Sequence, residues 1–283
     1  IAVDESELKV VSDVTVYATA AGIKRVGAKL FAQKGSQEEG RTHFALDTRT
    51  DRRVQFFTNR GTMYAIDAED IPEPRGKQLG SMPAALFAGW NDGERIVAAF
   101  SFDAYPEDSS LLFFTKQGMA KRASLAEFET RNKKYAAIGL KEGDEVVSVV
   151  LDNGLPTVLM VTEKGMSIRF AADSIPRMGR TAAGVKAIAL EEGDAVLFAQ
   201  PVPEDGQMLL ISDLGYAKRT LILDYECQNR NGKGQRTFEL KKSGANGTKL
   251  AAALLLTGPA TFAVEQLRSG KTVFSTDEVL VEK

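Results

Sequence analysis

The chain has 283 residues, a formal net charge of -2, 43% hydrophobic and 26% charged residues. This is the composition of a folded protein with one large domain or two ordinary ones. Its single cysteine, Cys227, excludes an internal disulfide, and its single histidine, His43, excludes a Cys/His zinc site. No apolar run is long enough to span a bilayer, and the N-terminal IAVDESELKVV is not a secretory signal. The expectation is a chain with no membrane partner, in a reducing compartment, most simply the cytoplasm. Beginning at Ile1, it reads as a piece of a longer polypeptide.

One pattern recurs along the chain: a few β-forming residues, a polar step, Gly, a few apolar residues and usually a cation. The copies are VYATAAGIKR (16–25), FFTNRGTMYA (56–65), LFFTKQGMAKR (112–122), LMVTEKGMSIR (159–169), LLISDLGYAKR (209–219) and a divergent FAVEQLRSGKTVFS (262–275). Their glycines are Gly22, Gly61, Gly118, Gly165, Gly215 and Gly270, spaced 39 to 57 residues apart. Each copy predicts a β-hairpin, with glycine supplying the positive φ of a tight turn. His43, in RTHFALD, reads as a strand residue rather than a base.

A second signature follows: NDGERIVAAF (91–100), KEGDEVVSVV (141–150) and EEGDAVLFAQ (191–200), an acidic turn opening a strand. ESELKVV (5–11) resembles it without its first half. Helical periodicity is poor throughout. The units fall near 5–50, 51–108, 109–154, 155–204, 205–258 and a closing half-unit, 259–283. The fold class expected is all-β and propeller-like, with about six blades of four antiparallel strands. If the ring closes, it closes by pairing the two ends. The hairpin glycines and EGD turns are architecture. Tyr64 and Tyr216, in hairpins, are read as packing residues. Trp90 and Phe87, in AALFAGW, are read as core, although they could instead form a partner-binding patch.

Cations recur at equivalent places. After the hairpin glycine come Lys24 and Arg25, Lys121 and Arg122, Arg169, and Lys218 and Arg219. The following loops add Arg75 and Lys77, then Arg131, Lys133 and Lys134, then Arg177, Arg180 and Lys186, then Arg230, Lys233 and Arg236. Radial stacking would gather these on one basic rim and leave the acids elsewhere. Gly beside Arg and Lys suits close approach to phosphate, so the whole set is expected to track a DNA backbone without reading bases, the alternative being a solvated basic face with no partner.

The hairpin xxFFTxxGxxxR, the EGD strand and the Q-N-R-N-G-K-G loop resemble the C-terminal domain of bacterial type IIA topoisomerase A subunits, over roughly residues 5 to 283. That resemblance implies a β-pinwheel, a ring whose blades exchange strands and whose basic perimeter bends duplex DNA. Gyrase A carries Q-R-R-G-G-K-G in its first blade. Here the first-unit loop is FAQKGSQEEG (31–40), with Glu38 and Glu39 and no Arg. Gln228, Arg230, Gly232, Lys233 and Gly234 match the box at five of its seven positions, but in the fifth unit. DIPEPRGKQLG, FETRNKKYAAIGLKEGDEVV, GRTAAGVKAIALEEGD and NRNGKGQRTFELK resemble the blades of Gram-positive topoisomerase IV A subunits, a type favoured over a gyrase with a degenerate box.

The resemblance implies a module without catalysis of its own. None of the six tyrosines lies in the family's Arg-Tyr-Thr context, there is no acidic metal cluster of the family type, and no P-loop is present. No cofactor is expected in this domain; ATP and Mg2+ belong to the complete enzyme. The implied partners are duplex DNA, the breakage–reunion domain of the same polypeptide and the ATPase B-type subunit, in the bacterial cytoplasm. A protein-interaction propeller is the alternative of a different class.

Overall fold

A computed structural model describes residues 10–35, 42–74, 78–266 and 270–282. The described residues divide into two compact units. The first comprises residues up to Thr58, Thr62–Tyr105 and Thr130–Tyr135; the second comprises Asn59–Gly61, Pro106–Glu129 and Ala136 onward.

All six expected hairpins are present. They are Asp13–Thr19 with Gly22–Gly27, Arg53–Thr58 with Thr62–Asp67, Ser110–Thr115 with Met119–Ser124, Thr157–Thr162 with Met166–Ala171, Gln207–Ser212 with Ala217–Leu221, and Thr261–Gln266 with Gly270–Ser275. In the first five, a later strand of the same repeat pairs antiparallel with the leading strand: Phe44–Arg49, Ile96–Phe100, Val146–Leu151, Val196–Val202 and Leu250–Leu256. The fourth place in a sheet is filled by a segment borrowed from the next repeat. Lys134–Ala136 completes the second sheet and Val185–Lys186 the third, while Cys227–Gln228 and Gln235–Arg236 complete the fourth. This is strand exchange: the all-β fold expected from the repeats takes the pinwheel form that the family resemblance implies. The sixth hairpin pairs only with itself among the described strands.

The borrowed segment docks on the hairpin glycine. The Gly118 carbonyl accepts from the amides of Ala187 (2.8 Å) and Ile188 (3.4 Å), and the Gly165 carbonyl from Thr237 (2.9 Å) and Phe238 (3.1 Å). At Gly165, φ is +79°, and a Cβ would run into the Phe238 carbonyl. This position therefore demands glycine twice, for the turn and for the docking strand. The second residue of each docked pair is apolar: Ile188 and Phe238 are buried.

The acidic turns tie each closing strand to its own hairpin. Asp144 Oδ1 accepts from the Gln117 amide (2.8 Å) and the Glu145 amide (2.8 Å), and Asp194 Oδ1 from the Lys164 amide (3.0 Å) and the Ala195 amide (2.8 Å). Buried Glu94 accepts from the Thr58 (2.7 Å) and Tyr64 (3.2 Å) hydroxyls. These turns are architectural, as expected.

Within each unit, cores lie between successive sheets. In the smaller unit, Phe56, Tyr64, Phe87 and Trp90 pack together, with Phe56 and Phe87 centroids 5.2 Å apart. Phe87 and Trp90 are thus core residues rather than a docking patch. Burial, and the charge of Glu94 beside it, push the Tyr64 hydroxyl up to about 12. Tyr216, in contrast, is 55% exposed, which corrects its reading as a packing residue. A seven-residue helix, Ala28–Lys34, buries none of its residues and was invisible to periodicity. It is fastened by Phe31 against Tyr17, centroids 5.0 Å apart.

Candidate functional site

The cations divide into two populations. The first sits on the second strand of each hairpin, opposite the middle of the first strand: Arg25 faces Val16, Arg122 faces Leu112, Arg169 faces Leu159 and Arg219 faces Leu209. Each guanidinium reaches the short 3-10 turn that follows the next hairpin. Arg25 Nε donates to the Ile71 carbonyl (2.8 Å), Arg122 Nη2 to Ala172 (2.7 Å), Arg169 Nη1 to Ile222 and Tyr225 (both 3.4 Å), and Arg219 Nε to Val279 (2.7 Å). Arg25 also pairs with Glu73 at 3.6 Å and Arg122 with Asp152 at 3.4 Å. Arg169 is buried; its Nε donates to Thr157 Oγ1 (3.0 Å) and its Nη2 lies 3.5 Å from Glu204.

In the second hairpin Ala65 holds this place, opposite Gln55. Arg53, from the leading strand, substitutes: Nη1 donates to the Thr130 carbonyl (2.6 Å) and Nη2 to Arg131 (3.3 Å). The recurrent hairpin arginine is therefore a clamp between repeats. A guanidinium suits the task because it carries several donors in a fixed fork and never loses its charge.

Lys121 is the plainest correction. It is fully buried, donates to the carbonyls of Ala137 (2.8 Å) and Arg180 (2.5 Å), and lies 4.9 Å from the Phe113 ring centroid. Burial lowers its ammonium to about 8, against an opposing pull from Glu127 and with a further push from Arg180. Neither Lys121 nor Arg169 is available to a ligand. The repeat pattern put them on a surface because it registers sequence position and not which face of the strand is covered.

The second population lies on the crossover loops. In the larger unit these loops join one another. The Gly139 amide donates to Ala182 (3.3 Å), Asn231 to Ala187 (2.8 Å) and Ala189 to Gly232 (2.9 Å). Asn231 has φ +69°, so the Q-N-R-N-G-K-G loop turns through a left-handed residue between Arg230 and Lys233. Gly234, φ +77°, brings the backbone against the Ser167 carbonyl with no space for a Cβ. Arg230, half-buried, reaches back to the Ser174 carbonyl (3.2 Å) and to that of Lys186. Gln228, Gly232 and Gly234 thus build the loop, while Lys186 and Lys233 stand exposed beside it. Exposed Arg236 lies 3.4 Å from Glu239, and exposed Arg177 donates to the carbonyls of Glu107 (2.7 Å) and Asp108 (2.5 Å). Half-buried Arg180 offers its amide to Glu127 (2.6 Å). Lys218 is half-buried on the fifth hairpin.

In the smaller unit, Lys24 lies 5.3 Å from the Tyr17 ring centroid. Lys134 donates to the Gly89 carbonyl (2.7 Å) over the Tyr64 ring, and Arg131 and Lys133 are exposed. Arg75 and Lys77, and Glu38 and Glu39 of the first-unit loop, lie outside the described residues. No helix among the described residues is long and apolar enough to cross a membrane.

Comparisons with known proteins match these hairpin repeats and the loops between them. The family model described as DNA gyrase C-terminal domain, beta-propeller, matches residues 109–151, 156–203 and 207–245. Over these residues the chain is similar to the C-terminal domain of DNA gyrase A. The DNA gyrase A protein of Staphylococcus epidermidis is 37% identical over 202 residues, 70% of this chain and 22% of that one. Its counterpart from Staphylococcus aureus (strain MRSA252) is 34% identical over 201 residues, 70% of this chain and 23% of that one. The chain thus spans about a fifth of the gyrase A proteins it matches.

Among solved structures, the C-terminal domain of a DNA topoisomerase IV superposes with TM-score 0.86 at 23% identity, covering 98% of this chain and 87% of that one. A DNA gyrase A C-terminal domain gives 0.66 at 21% identity, covering 96% and 92%. These two likenesses establish the shared pinwheel fold.

Proposed function

We propose that this chain is a sequence-independent module that binds and bends duplex DNA, presenting a segment to the strand-passage core of topoisomerase IV. The observation that carries the reading is the band of Lys186, Arg230 and Lys233, exposed or half-buried on crossover loops that hydrogen-bond to one another. Such a band follows a phosphate backbone, and phosphate contacts position DNA without reading its sequence. Bending a short site by 40–90° costs about 1–6 kcal/mol, which contacts on several repeats would offset.

The first-unit loop, with Glu38 and Glu39 where the gyrase box carries arginine, supports bending of the topoisomerase IV kind. A gyrase-like wrapping role is the second reading, favoured by curated relatives that are named gyrase A. In either case the breakage–reunion domain, the ATPase B-type subunit, ATP and Mg2+ belong to a complete enzyme working on the chromosome in the bacterial cytoplasm.

The test is the dissociation constant for a duplex of about 40 base pairs across a salt series, where each neutralised phosphate contributes a slope of about -0.9. Steep, sequence-independent loss of affinity is expected; no binding at low salt would sink the reading. A relaxed plasmid with a nicking-closing enzyme then separates the two versions. Constrained positive writhe marks gyrase-like wrapping, and an unchanged linking number marks bending.

A further inference from the structure

The acidic turn changes sign in the fifth repeat. Where the third and fourth repeats carry Lys141-Glu142-Gly143-Asp144 and Glu191-Glu192-Gly193-Asp194 before the closing strand, the fifth carries KKSGANGTK, residues 241–249, with three lysines and no acid. The structure shows what released this turn from its carboxylate. In the earlier repeats the turn's aspartate caps the hairpin. In the fifth the carboxylate sits on the hairpin itself: Asp213 Oδ1 accepts from the Thr248 amide (2.9 Å) and Oδ2 from the Thr248 hydroxyl (2.7 Å). The same tie is made with donor and acceptor exchanged. Glycines at 244 and 247, both with positive φ, and Asn246, which bridges the Lys241 amide (2.8 Å) and the Glu239 carbonyl (2.7 Å), hold the turn open.

The result is a cleft of about 330 Å³ against the end of the QNRNGKGQR loop. Lys164, Arg236, Lys241 and Lys242 line it, with Glu191 as the one acid among its lining residues. Lys241 and Lys242 are exposed, and neither was among the cations the hairpin and loop pattern singled out. Lys164 is held by its ammonium on the Glu192 carbonyl (2.5 Å), and Arg236 by Glu239. Two anchored cations and two exposed ones thus face one opening.

The geometry points to this cleft as a phosphodiester-binding site for duplex DNA, extending the crossover-loop band past Arg236 to the closing turn of the fifth repeat. The inference rests on the DNA-binding reading above and adds a further contact to it. Ammonium groups bind phosphate as point charges with no demand for base identity, so the site is blind to sequence.

The test uses the whole chain, with Lys241→Gln/Lys242→Gln compared with wild type on a duplex of about 40 base pairs over a potassium chloride series. The log–log salt slope of the double variant is expected to flatten by about 0.9 to 1.8, one or two phosphates' worth. Its affinity at low salt should fall several-fold for every sequence alike. Lys249→Gln, whose ammonium faces Glu163 at 3.8 Å, is the control and should leave the slope unchanged. Thermal midpoints of all three proteins should coincide, because the substituted side chains are exposed.

Wild-type binding with an unaltered slope in the double variant overturns the cleft while leaving the DNA reading intact. Absence of any wild-type binding overturns both. Inorganic phosphate at constant ionic strength should not displace the duplex. Phosphate bound by wild type alone, with duplex affinity equal in wild type and the double variant at every salt concentration, would make the cleft a free-anion site and overturn the proposal.

Discussion

The arginines of the hairpins and the cations of the crossover loops have nearly the same sequence context, a basic residue a few positions from a glycine, yet opposite fates. Arg25, Arg122, Arg169 and Arg219 are turned onto backbone carbonyls of the neighbouring repeat. Lys186 and Lys233 project from loops whose backbones are already satisfied by each other. The lesson is that recurrence of charge in a repeat protein has two sources. A residue that joins repeats must recur because the joint recurs. A residue that meets an extended polyanion recurs because the ligand does. Only the partners of each side chain tell the two apart.

Four experiments sharpen or break that division. The largest effect belongs to Arg169→Ala, which leaves the Ile222 and Tyr225 carbonyls and Thr157 without their buried donor. A loss of about 3 kcal/mol or more in denaturant unfolding is expected. A variant of undiminished stability with weakened DNA binding would abolish the distinction.

Lys121→Met comes next, with a loss of about 1–3 kcal/mol at neutral pH from two carbonyls left unpaired. It also carries a pH signature. The folded-state ammonium is lowered to about 8 from an unfolded value of 10.5. Between these values the unfolded chain binds more protons, so this group makes wild-type stability rise with pH from about 8 toward 10.5. Urea midpoints of wild type and variant across that window should therefore diverge in favour of wild type. A pH-independent difference would mean that Lys121 titrates normally.

Third, Arg230→Glu/Lys233→Glu should weaken duplex binding by about tenfold or more for all sequences and flatten the salt slope by about 1.8. The cost in stability should be smaller than that of Arg169→Ala, since Arg230 is only half-buried. Sequence-selective loss would contradict a phosphate-only contact. The smallest effect is expected of Tyr216→Ala, within about 0.5 kcal/mol of wild type, because the ring is exposed.

Much of the scaffold was legible because its demands are local. A hairpin glycine, an acidic turn and alternating apolar residues each impose themselves within a few positions. What was not legible depends on residues far along the chain. Nothing near Lys121 announces that Ala137 and Arg180 will close over it. The borrowed strand did leave a trace, the recurring Ala137-Ile138, Ala187-Ile188 and Thr237-Phe238 before a leucine, which marks where the segment lands on the preceding hairpin. The helix at Ala28–Lys34 escaped because one turn of packing against Tyr17 is too short to show a period. Lys241 and Lys242 carry no such mark in the sequence, because the acid that ties this turn lies on the hairpin, at Asp213.

Strand exchange also bears on how such an array can lengthen or shorten. A hairpin and the segment that completes its sheet are separated by a whole period of sequence, as Met119–Ser124 and Val185–Lys186 are. Gene duplication or loss of one repeat therefore never moves a finished blade. It breaks two pairings and forces a strand, and with it an arginine such as Arg122 or Arg169, to accept a new neighbour. Repeats can recombine only to the extent that their joints are interchangeable. The second repeat, where Arg53 rather than residue 65 makes the joint, is the place where such an exchange would meet resistance.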